Sequence, residues 1–164
     1  MIHVRQATEA DHQAIVDIIN QVISAKTFTA FTEETSVAEK ADWFAVHQAS
    51  AYPLMVAEYD EHVVGWVSLS AYRPGREALK HTVEVSYGVA EQMRRKGVGT
   101  AMMTAITAQA KALGHRIVFA IIFDNNVATR KLLDKFGFEL WGHLPDVALL
   151  NGTLIGHDYV GRRL

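Results

Sequence analysis

Seven residues near the middle of the chain combine three cationic side chains with two glycines. The run is Arg94-Arg95-Lys96-Gly97-Val98-Gly99-Thr100. It follows a strand-like segment that ends at Val89 and precedes apolar residues at helical spacing, so it should form a loop that enters a helix. Free backbone N–H groups at a helix start attract anions, glycine lets a bulky ligand approach, and Arg and Lys add positive charge. The run, called the diphosphate loop below, therefore predicts a phosphate or diphosphate site.

Other phosphate-binding motifs fit the sequence less well. GxxxxGK[ST] is absent, and the dinucleotide fingerprint GxGxxG/A fails because Met102 stands where the third small residue belongs. Gly88 lies inside the preceding strand, where glycine usually marks a bulge or a close approach by a ligand or another part of the chain. A strand splayed there could hold the extended arm of coenzyme A, whose diphosphate would reach the loop. The alternative is that Gly97 and Gly99 only shape the loop.

Composition limits the classes of protein that need to be considered. The 164 residues are 49% hydrophobic and 21% charged, which predicts one globular domain over residues 1–164. A net charge of −2 argues against nucleic acid as the main partner. The absence of cysteine excludes a thiolate zinc site and a Cys-linked acyl intermediate, and the eight histidines lack metal-ligand spacing, so no metal is expected. With neither a signal peptide nor an apolar run of about 20 residues, a cytoplasmic protein without a membrane partner is expected.

Hydrophobic periodicity predicts strands interleaved with helices, and hence an α/β fold. The first helix follows a short strand and begins near residues 8–11, and the second runs from a capping box at residues 36–39 to about Ser50. The later predicted elements are a hairpin over residues 53–69, a strand over 82–89, a helix from Gly97 to Gly114, a strand over 116–123, a helix over 126–136, and closing strands over 138–149 and 153–160.

The diphosphate loop, taken together with residues 126–138 (NVATRKLLDKFGF), resembles the GNAT superfamily of N-acetyltransferases, and within it the phosphinothricin acetyltransferase-like branch. The similarity covers nearly the whole chain, including residues 31–44, 52–58 and 81–84. It implies a GNAT-like mixed, mostly antiparallel twisted sheet that is flanked by about four helices and splayed at the coenzyme A site. It also implies acetyl-CoA as co-substrate and a homodimer.

The resemblance assigns roles to individual positions. The residues implied for acetyl-CoA binding are Tyr87, Val89, Arg94, Arg95, Lys96, Gly97, Val98, Gly99, Thr100 and Asn126. The resemblance implies Glu84 as the base or an acceptor contact. The residues predicted to contact the acceptor are Phe31, Arg73, Thr82 and Glu84, although Phe31 could instead plug the edge of the core. Asn126 has an alternative role as the N-cap of the helix that follows it. Arg73 could pair with an acceptor carboxylate or phosphinate, or could be a solvated loop residue.

Transfer of an acyl group to an amine needs a base, because an α-amino group with a pKa near ~8 is mostly protonated at pH 7. Glu84 is the implied base, and burial on the polar face of its strand would raise its pKa to a useful value. A backbone N–H near Val89 could stabilise charge on the thioester carbonyl. Relatives protonate the leaving thiolate with a Tyr or His of a late helix, where this chain has Leu133, so water or Tyr87 would take that role.

The resulting hypothesis is an acetyl-CoA-dependent N-acetyltransferase that acts on a small amino-acid-like amine by direct transfer. One alternative is a regulatory module that binds acyl-CoA without turnover. Another is an acetyltransferase that acts on a protein N-terminus or a lysine. Residues 151–164 lack the aromatic-rich GRW pattern of close phosphinothricin-type relatives, so the acceptor of those relatives is not carried over.

Overall fold

A computed structural model describes residues 1–48 and 51–164, which form seven strands and four α-helices. The predicted elements are present, with ends that differ by a few residues, and the predicted end of the second helix near Ser50 lies outside the described residues. No helix in the two described ranges is long and apolar enough to cross a membrane. In chain order the elements are β1 (His3–Gln6), α1 (His12–Ser24), α2 (Ala41–Gln48), β2 (Leu54–Tyr59), β3 (His62–Ala71), β4 (Thr82–Val89), α3 (Val98–Ala112), β5 (Ile117–Phe123), α4 (Val127–Lys135), β6 (Glu139–Leu150) and β7 (Thr153–Arg163).

The seven strands form one sheet in the order β1-β2-β3-β4-β5-β7-β6, and only β4 and β5 pair in parallel. That parallel pairing is short, since it joins residues 82–84 of β4 to residues 117–119 of β5. Beyond Glu84, β4 continues along β3 to Val89, whereas β5 continues along β7 to Phe123. The two strands therefore part, and the predicted mixed, mostly antiparallel sheet with a splay is confirmed.

The sheet buries apolar side chains on both faces. Because side chains alternate along a strand, Val83 and Val85 point to the face covered by α3 and α4, and Glu84 points to the face where α1 and α2 pack. This is the alternation that the sequence predicts for β4. The first core includes Val83, Val85, Met102, Ile106, Val118 and Leu133. The second includes Ile15, Val16, Phe44, Leu54 and Val56.

An ion-paired cluster fixes the start of α1 against the first two strands. Arg5 of β1 binds both carboxylate oxygens of Asp11 at 2.7 and 2.8 Å, and its second terminal nitrogen also donates to Glu58 of β2 at 2.6 Å. Asp11 further accepts hydrogen bonds from the backbone and hydroxyl of Thr8. The Arg5 hydrogen bonds lower the pKa of Asp11 to about 2. The cluster holds α1 over the sheet at the side where Glu84 projects.

Gly88 makes room for a tryptophan and does not form a bulge. The register of β3 with β4 is regular through Gly88, which pairs with Trp66. A Cβ at Gly88 would lie 2.5 Å from Nε1 of Trp66 and 3.2 Å from Cγ2 of Ile18. Trp66 also packs edge-to-face on Trp43 of α2, with ring centroids 5.6 Å apart. The glycine thus allows α1, α2 and the sheet to share one closely packed aromatic contact.

The edge strand β6 exposes several large apolar side chains along its twelve residues. Native proteins commonly cover or interrupt a long apolar edge of this kind. The expected homodimer remains a prediction for which this edge is a candidate surface. The exposed side chains of β6 are Leu140, Trp141, Leu144, Val147 and Leu149.

We expect Gly88→Ala to lower the free energy of unfolding by about 1–3 kcal/mol, because the added methyl group would overpack the Trp66 ring. Thermal unfolding followed by tryptophan fluorescence would measure both the loss and the altered Trp66 environment. Gly142→Ala is the matched control, since a Cβ at this other strand glycine would meet nothing closer than 4.0 Å. Equal stability of the two variants would contradict this explanation of Gly88.

Candidate active site

The opening between β4 and β5 exposes main-chain groups of β4. Tyr72 donates its N–H to the carbonyl of Thr82, and Ala90 donates to Val64, so the even-numbered residues of β4 bond to β3. In an antiparallel pair the intervening residues point their N–H and C=O groups the other way. Those of Tyr87 and Val89 therefore face the side from which β5 has parted. An extended ligand arm can bind there as an additional strand would.

The diphosphate loop forms the start of α3 with unused backbone donors. Gly97 is the N-cap with φ of 87°, and no side chain caps the helix. The first helical bond runs from the N–H of Ala101 to the carbonyl of Gly97, so the N–H groups of residues 98–100 have no partner within the helix. Arg94, Arg95 and Lys96 are exposed and form no ion pair within the described residues. This arrangement fits a diphosphate.

The two glycines of the loop serve different purposes. Gly97 adopts a left-handed backbone conformation that favours glycine, and a Cβ there would meet nothing within 4 Å. Gly99 allows close packing instead, because a Cβ there would lie 2.9 Å from Cδ2 of Leu132 in α4. One glycine thus shapes the turn, and the other brings α4 close to the start of α3.

The start of α4 adds hydroxyl and amide groups beside Tyr87. Oδ1 of Asn126 accepts a hydrogen bond from the N–H of Thr129 at 3.1 Å, which confirms the N-cap role, while its contact with coenzyme A remains a prediction. The hydroxyls of Tyr87 and Thr129 are 2.9 Å apart. Burial raises the pKa of Tyr87, so its phenol keeps the proton at neutral pH. Leu133 is fully buried in the core, and its hydrocarbon side chain has no proton to donate.

Glu84 projects from the opposite face of β4 at the last residue that pairs with β5. Its neighbours in register are Ser70 of β3 and Phe119 of β5. The carboxyl group forms no hydrogen bond or ion pair within the part of the chain that the structure describes, and burial raises its pKa above the ordinary value. A carboxylate in this environment is suited to accept a proton. The role of Glu84 as base remains a prediction.

The surroundings of Glu84 are aromatic on one side and polar on the other. Phe119 packs edge-to-face on Tyr72 at 4.9 Å, and its ring lies parallel to that of Tyr159 at 6.5 Å. On the side of β3, the hydroxyl of Ser70 lies 3.3 Å from Nε2 of the buried His47. No local sequence pattern singles out Ser70 or His47, because their contact joins a helix residue to a strand residue 23 positions later.

The three remaining residues that are candidates for binding the acceptor lie in different parts of the fold. Thr82 shares a face of β4 with Glu84 and is partly buried. Arg73 is exposed in the bend that follows β3, next to Tyr72, whose N–H bonds to Thr82. Phe31 lies in the exposed segment before α2, where Nζ of Lys40 is 4.8 Å from its ring centroid. The substrate contacts of all three remain predictions.

Two open depressions of about 560 and 590 Å³ lie away from these groups. The first is lined mainly by polar side chains of α1, and the second lies between α1 and α2. Neither depression contains Glu84 or the diphosphate loop. The candidate site is therefore identified by the chemistry of these residues and not by the size of a depression. Within residues 1–48 and 51–164, no group of three His, Asp or Glu side chains is placed to hold a metal ion.

Comparison with known proteins agrees with this geometry. Residues 18–138 match the family described as "Acetyltransferase (GNAT) family". YwnH of Bacillus subtilis, provisionally named a phosphinothricin acetyltransferase, is 36% identical over 98% of each chain. The L-methionine sulfoximine/L-methionine sulfone acetyltransferase of Pseudomonas aeruginosa is 33% identical over 88% of this chain and 84% of that protein. The crystal structure of a phosphinothricin acetyltransferase from Sinorhizobium meliloti with acetyl-CoA has a TM-score of 0.94 at 28% identity, covering 99% of this chain and 88% of that one.

Removing the three cations of the diphosphate loop should weaken binding of coenzyme A roughly tenfold or more, because charge-assisted hydrogen bonds to phosphate would be lost. The combined variant Arg94→Ala, Arg95→Ala and Lys96→Ala would be titrated calorimetrically at low and high salt, and its affinity should depend less on salt. Lys111→Ala, which removes an exposed cation at the far end of α3, is the control. Unchanged affinity in the combined variant would show that the loop does not hold the diphosphate.

Proposed function

The chain belongs to the GNAT family of acetyltransferases, and we propose that it acetylates the amine of a small, amino-acid-like acceptor by direct transfer. Membership of the family identifies it as an acyltransferase that uses acetyl-CoA. The finer proposal concerns the acceptor and the groups that move protons. It is supported by one observation above all, which is the arrangement of β4 at the point where it parts from β5.

At that point two proton-carrying side chains project from opposite faces of one strand. Glu84 lies on the face of α1 and α2, and Tyr87 lies on the face of α3 and α4. The main-chain groups of Tyr87 and Val89 face the opening between the strands. A reacting centre held in the opening would therefore have a candidate base on one side and a candidate acid on the other.

The residues of the chain would divide the work as follows. Bound acetyl-CoA supplies an acetyl thioester, whose C–S bond breaks as the acceptor nitrogen forms the new C–N bond. The diphosphate loop binds the diphosphate, and the main-chain groups of Tyr87 and Val89 orient the extended arm. The N–H of Val89 donates a hydrogen bond towards the position of the thioester carbonyl oxygen.

Two side chains move protons during the reaction. Glu84 takes one proton from the acceptor ammonium, which frees the nitrogen lone pair, and releases it to solvent. Tyr87 gives its phenol proton to the departing sulfur and regains one that the acylated nitrogen loses. The sum is one proton released to solvent for each ammonium acylated. The absence of cysteine from the sequence agrees with direct transfer, without a Cys-linked intermediate.

The proposed acceptor is an amino acid or a close analogue. The names of two similar proteins mention phosphinothricin and methionine sulfoximine, both of which carry an α-amino group and a carboxylate. The aromatic contacts among Tyr72, Phe119 and Tyr159 offer an apolar surface beside Glu84 for the acceptor side chain. The guanidinium of Arg73 forms no ion pair among the described residues, so it is available to bind the acceptor carboxylate.

Release of coenzyme A from acetyl-CoA tests the proposed function. We expect turnover with members of a panel of L-amino acids, methionine sulfoximine, methionine sulfone and phosphinothricin, and none with their N-acetyl forms, whose amine is blocked. Turnover only with peptides that carry a free N-terminus or a lysine would identify a protein acetyltransferase instead. Binding of acetyl-CoA without turnover on any amine would support the regulatory module.

Substitutions of Glu84 and Tyr87 should separate the two proton steps. The base works only when ionised, so kcat/KM of the unsubstituted protein should fall as the pH drops through the raised pKa of Glu84. Glu84→Gln should lower kcat/KM by about 10²–10⁴-fold and abolish this acidic decline. Tyr87→Phe should lower kcat about tenfold or more and retain the decline. Steady-state rates across pH would measure both effects.

Glu61→Gln, in the exposed turn between β2 and β3, is the control for loss of a carboxylate. An unchanged pH profile in Glu84→Gln would exclude Glu84 as the base. Full kcat in Tyr87→Phe would assign protonation of the thiolate to water. Binding of acetyl-CoA to Glu84→Gln should remain close to that of the unsubstituted protein, since this change alters none of the residues proposed to bind acetyl-CoA.

A further inference from the structure

Ser70 stands directly beside Glu84 across the β3–β4 pair. The two residues are in register, and the bond between Tyr72 and Thr82 two positions along makes Ser70 and Glu84 a hydrogen-bonded pair of the ladder. Directly opposed side chains on one face of such a pair have Cβ atoms about 5 Å apart. A hydroxyl oxygen and a carboxylate so placed leave room for one nitrogen that bonds to both.

His47 of α2 determines how the Ser70 hydroxyl points. Nδ1 of His47 lies 2.7 Å from the carbonyl oxygen of Trp43, and a carbonyl can only accept, so Nδ1 carries the ring proton. Burial lowers the pKa of His47, which keeps the ring neutral and leaves Nε2 as an acceptor. Nε2 is 3.3 Å from Oγ of Ser70, so the serine donates its proton to the histidine.

A serine whose proton is directed to His47 presents only oxygen lone pairs to its other neighbours. Such an oxygen can accept a hydrogen bond but cannot compete with an amine for the Glu84 carboxylate. Ser68 provides the contrast on the same strand and face, because its buried hydroxyl has no hydrogen-bond partner among the described residues. The orientation is therefore a specific feature of Ser70.

We propose that Ser70 is a binding residue for the acceptor ammonium, that its oxygen accepts one N–H while Glu84 accepts another, and that His47 is its positioning residue. This inference rests on the proposed function. It assigns the amine a fixed place at the junction of β3, β4 and α2, held by a hydroxyl on one strand and a carboxylate on the next. It also requires the acceptor to enter as an ammonium with at least two protons to donate.

Kinetics of Ser70 variants test the assignment, with the panel acceptor of highest kcat/KM as the probe. Ser70→Ala should raise the KM for the acceptor about tenfold to hundredfold, because hydrogen bonds to charged groups are worth about 1.5–3 kcal/mol. The kcat should stay within about twofold, since a bond kept from the bound ammonium to the transition state affects binding alone. Ser70→Thr, which keeps a hydroxyl, should restore the KM. The affinity for acetyl-CoA should not change.

Three further measurements separate this role from a structural one. Ser68→Ala should keep the KM, since no hydrogen bond is removed. An inhibitor that is the acceptor with hydrogen in place of its ammonium should bind unsubstituted protein and Ser70→Ala equally well. His47→Phe should raise the KM less than Ser70→Ala does, and nitrogen NMR of the imidazole should show a neutral ring with the proton on Nδ1 and an Nε2 signal that shifts in Ser70→Ala.

An unchanged acceptor KM in Ser70→Ala would overturn the proposal. The proposal would also be overturned if Ser70→Thr unfolded at the same temperature as the unsubstituted protein but did not restore the KM. A His47 ring with its proton on Nε2 would overturn the positioning role. Absence of turnover in the unsubstituted protein is a different result, because it would contradict the proposed function itself and leave the NMR measurement as the direct test of the Ser70–His47 bond.

Discussion

The pairing of β4 with two different neighbours is the constraint from which the site follows. β4 is bonded to β3 along its whole length, but to β5 only through Glu84. A polar main-chain group of a strand needs a partner, so the unpaired side of Tyr87 and Val89 selects for a ligand that can itself act as an extended chain. The same divergence places the start of α3 and the start of α4 on either side of the opening. One change in strand direction thus positions the unpaired main-chain groups of β4 together with the starts of α3 and α4.

The two-residue repeat of the strand then separates the chemistry. Tyr87 and Glu84 differ by three positions, so they must lie on opposite faces of β4. One face carries the core beneath α3 and α4, and burial there keeps the Tyr87 phenol protonated. The other face carries Glu84. Burial there makes ionisation of the Glu84 carboxyl group less favourable and so raises its pKa. Because the two side chains lie on opposite faces, one strand carries both a candidate donor and a candidate acceptor of protons.

Local patterns in the sequence were sufficient to predict the secondary-structure elements and the entry of residues 94–100 into a helix, whereas binding of a diphosphate there remains a prediction. The alternation over residues 82–89 and the capping box at residues 36–39 depend on neighbours in the chain, and both are present. The role of Gly88 was harder to predict, because the side chain that requires a glycine there is Trp66, on another strand. The Ser70 and His47 pair left no sequence signal, since it arises from the packing of α2 on β3. Asn126 shows the intermediate case, in which the N-cap followed from local spacing and a ligand contact did not.

The splay also makes the stability of the folded chain depend on the concentration of a ligand. Main-chain groups that no neighbouring strand pairs contribute nothing to the cohesion of the sheet, so beyond Glu84 no ladder joins β4 to β5, and each strand is held by its other neighbour. A ligand that binds only the folded chain adds to its stability by about 2.7 kcal/mol at a concentration one hundred times its dissociation constant. Because the family uses acetyl-CoA, the folded state of this protein should gain stability as the concentration of that ligand rises.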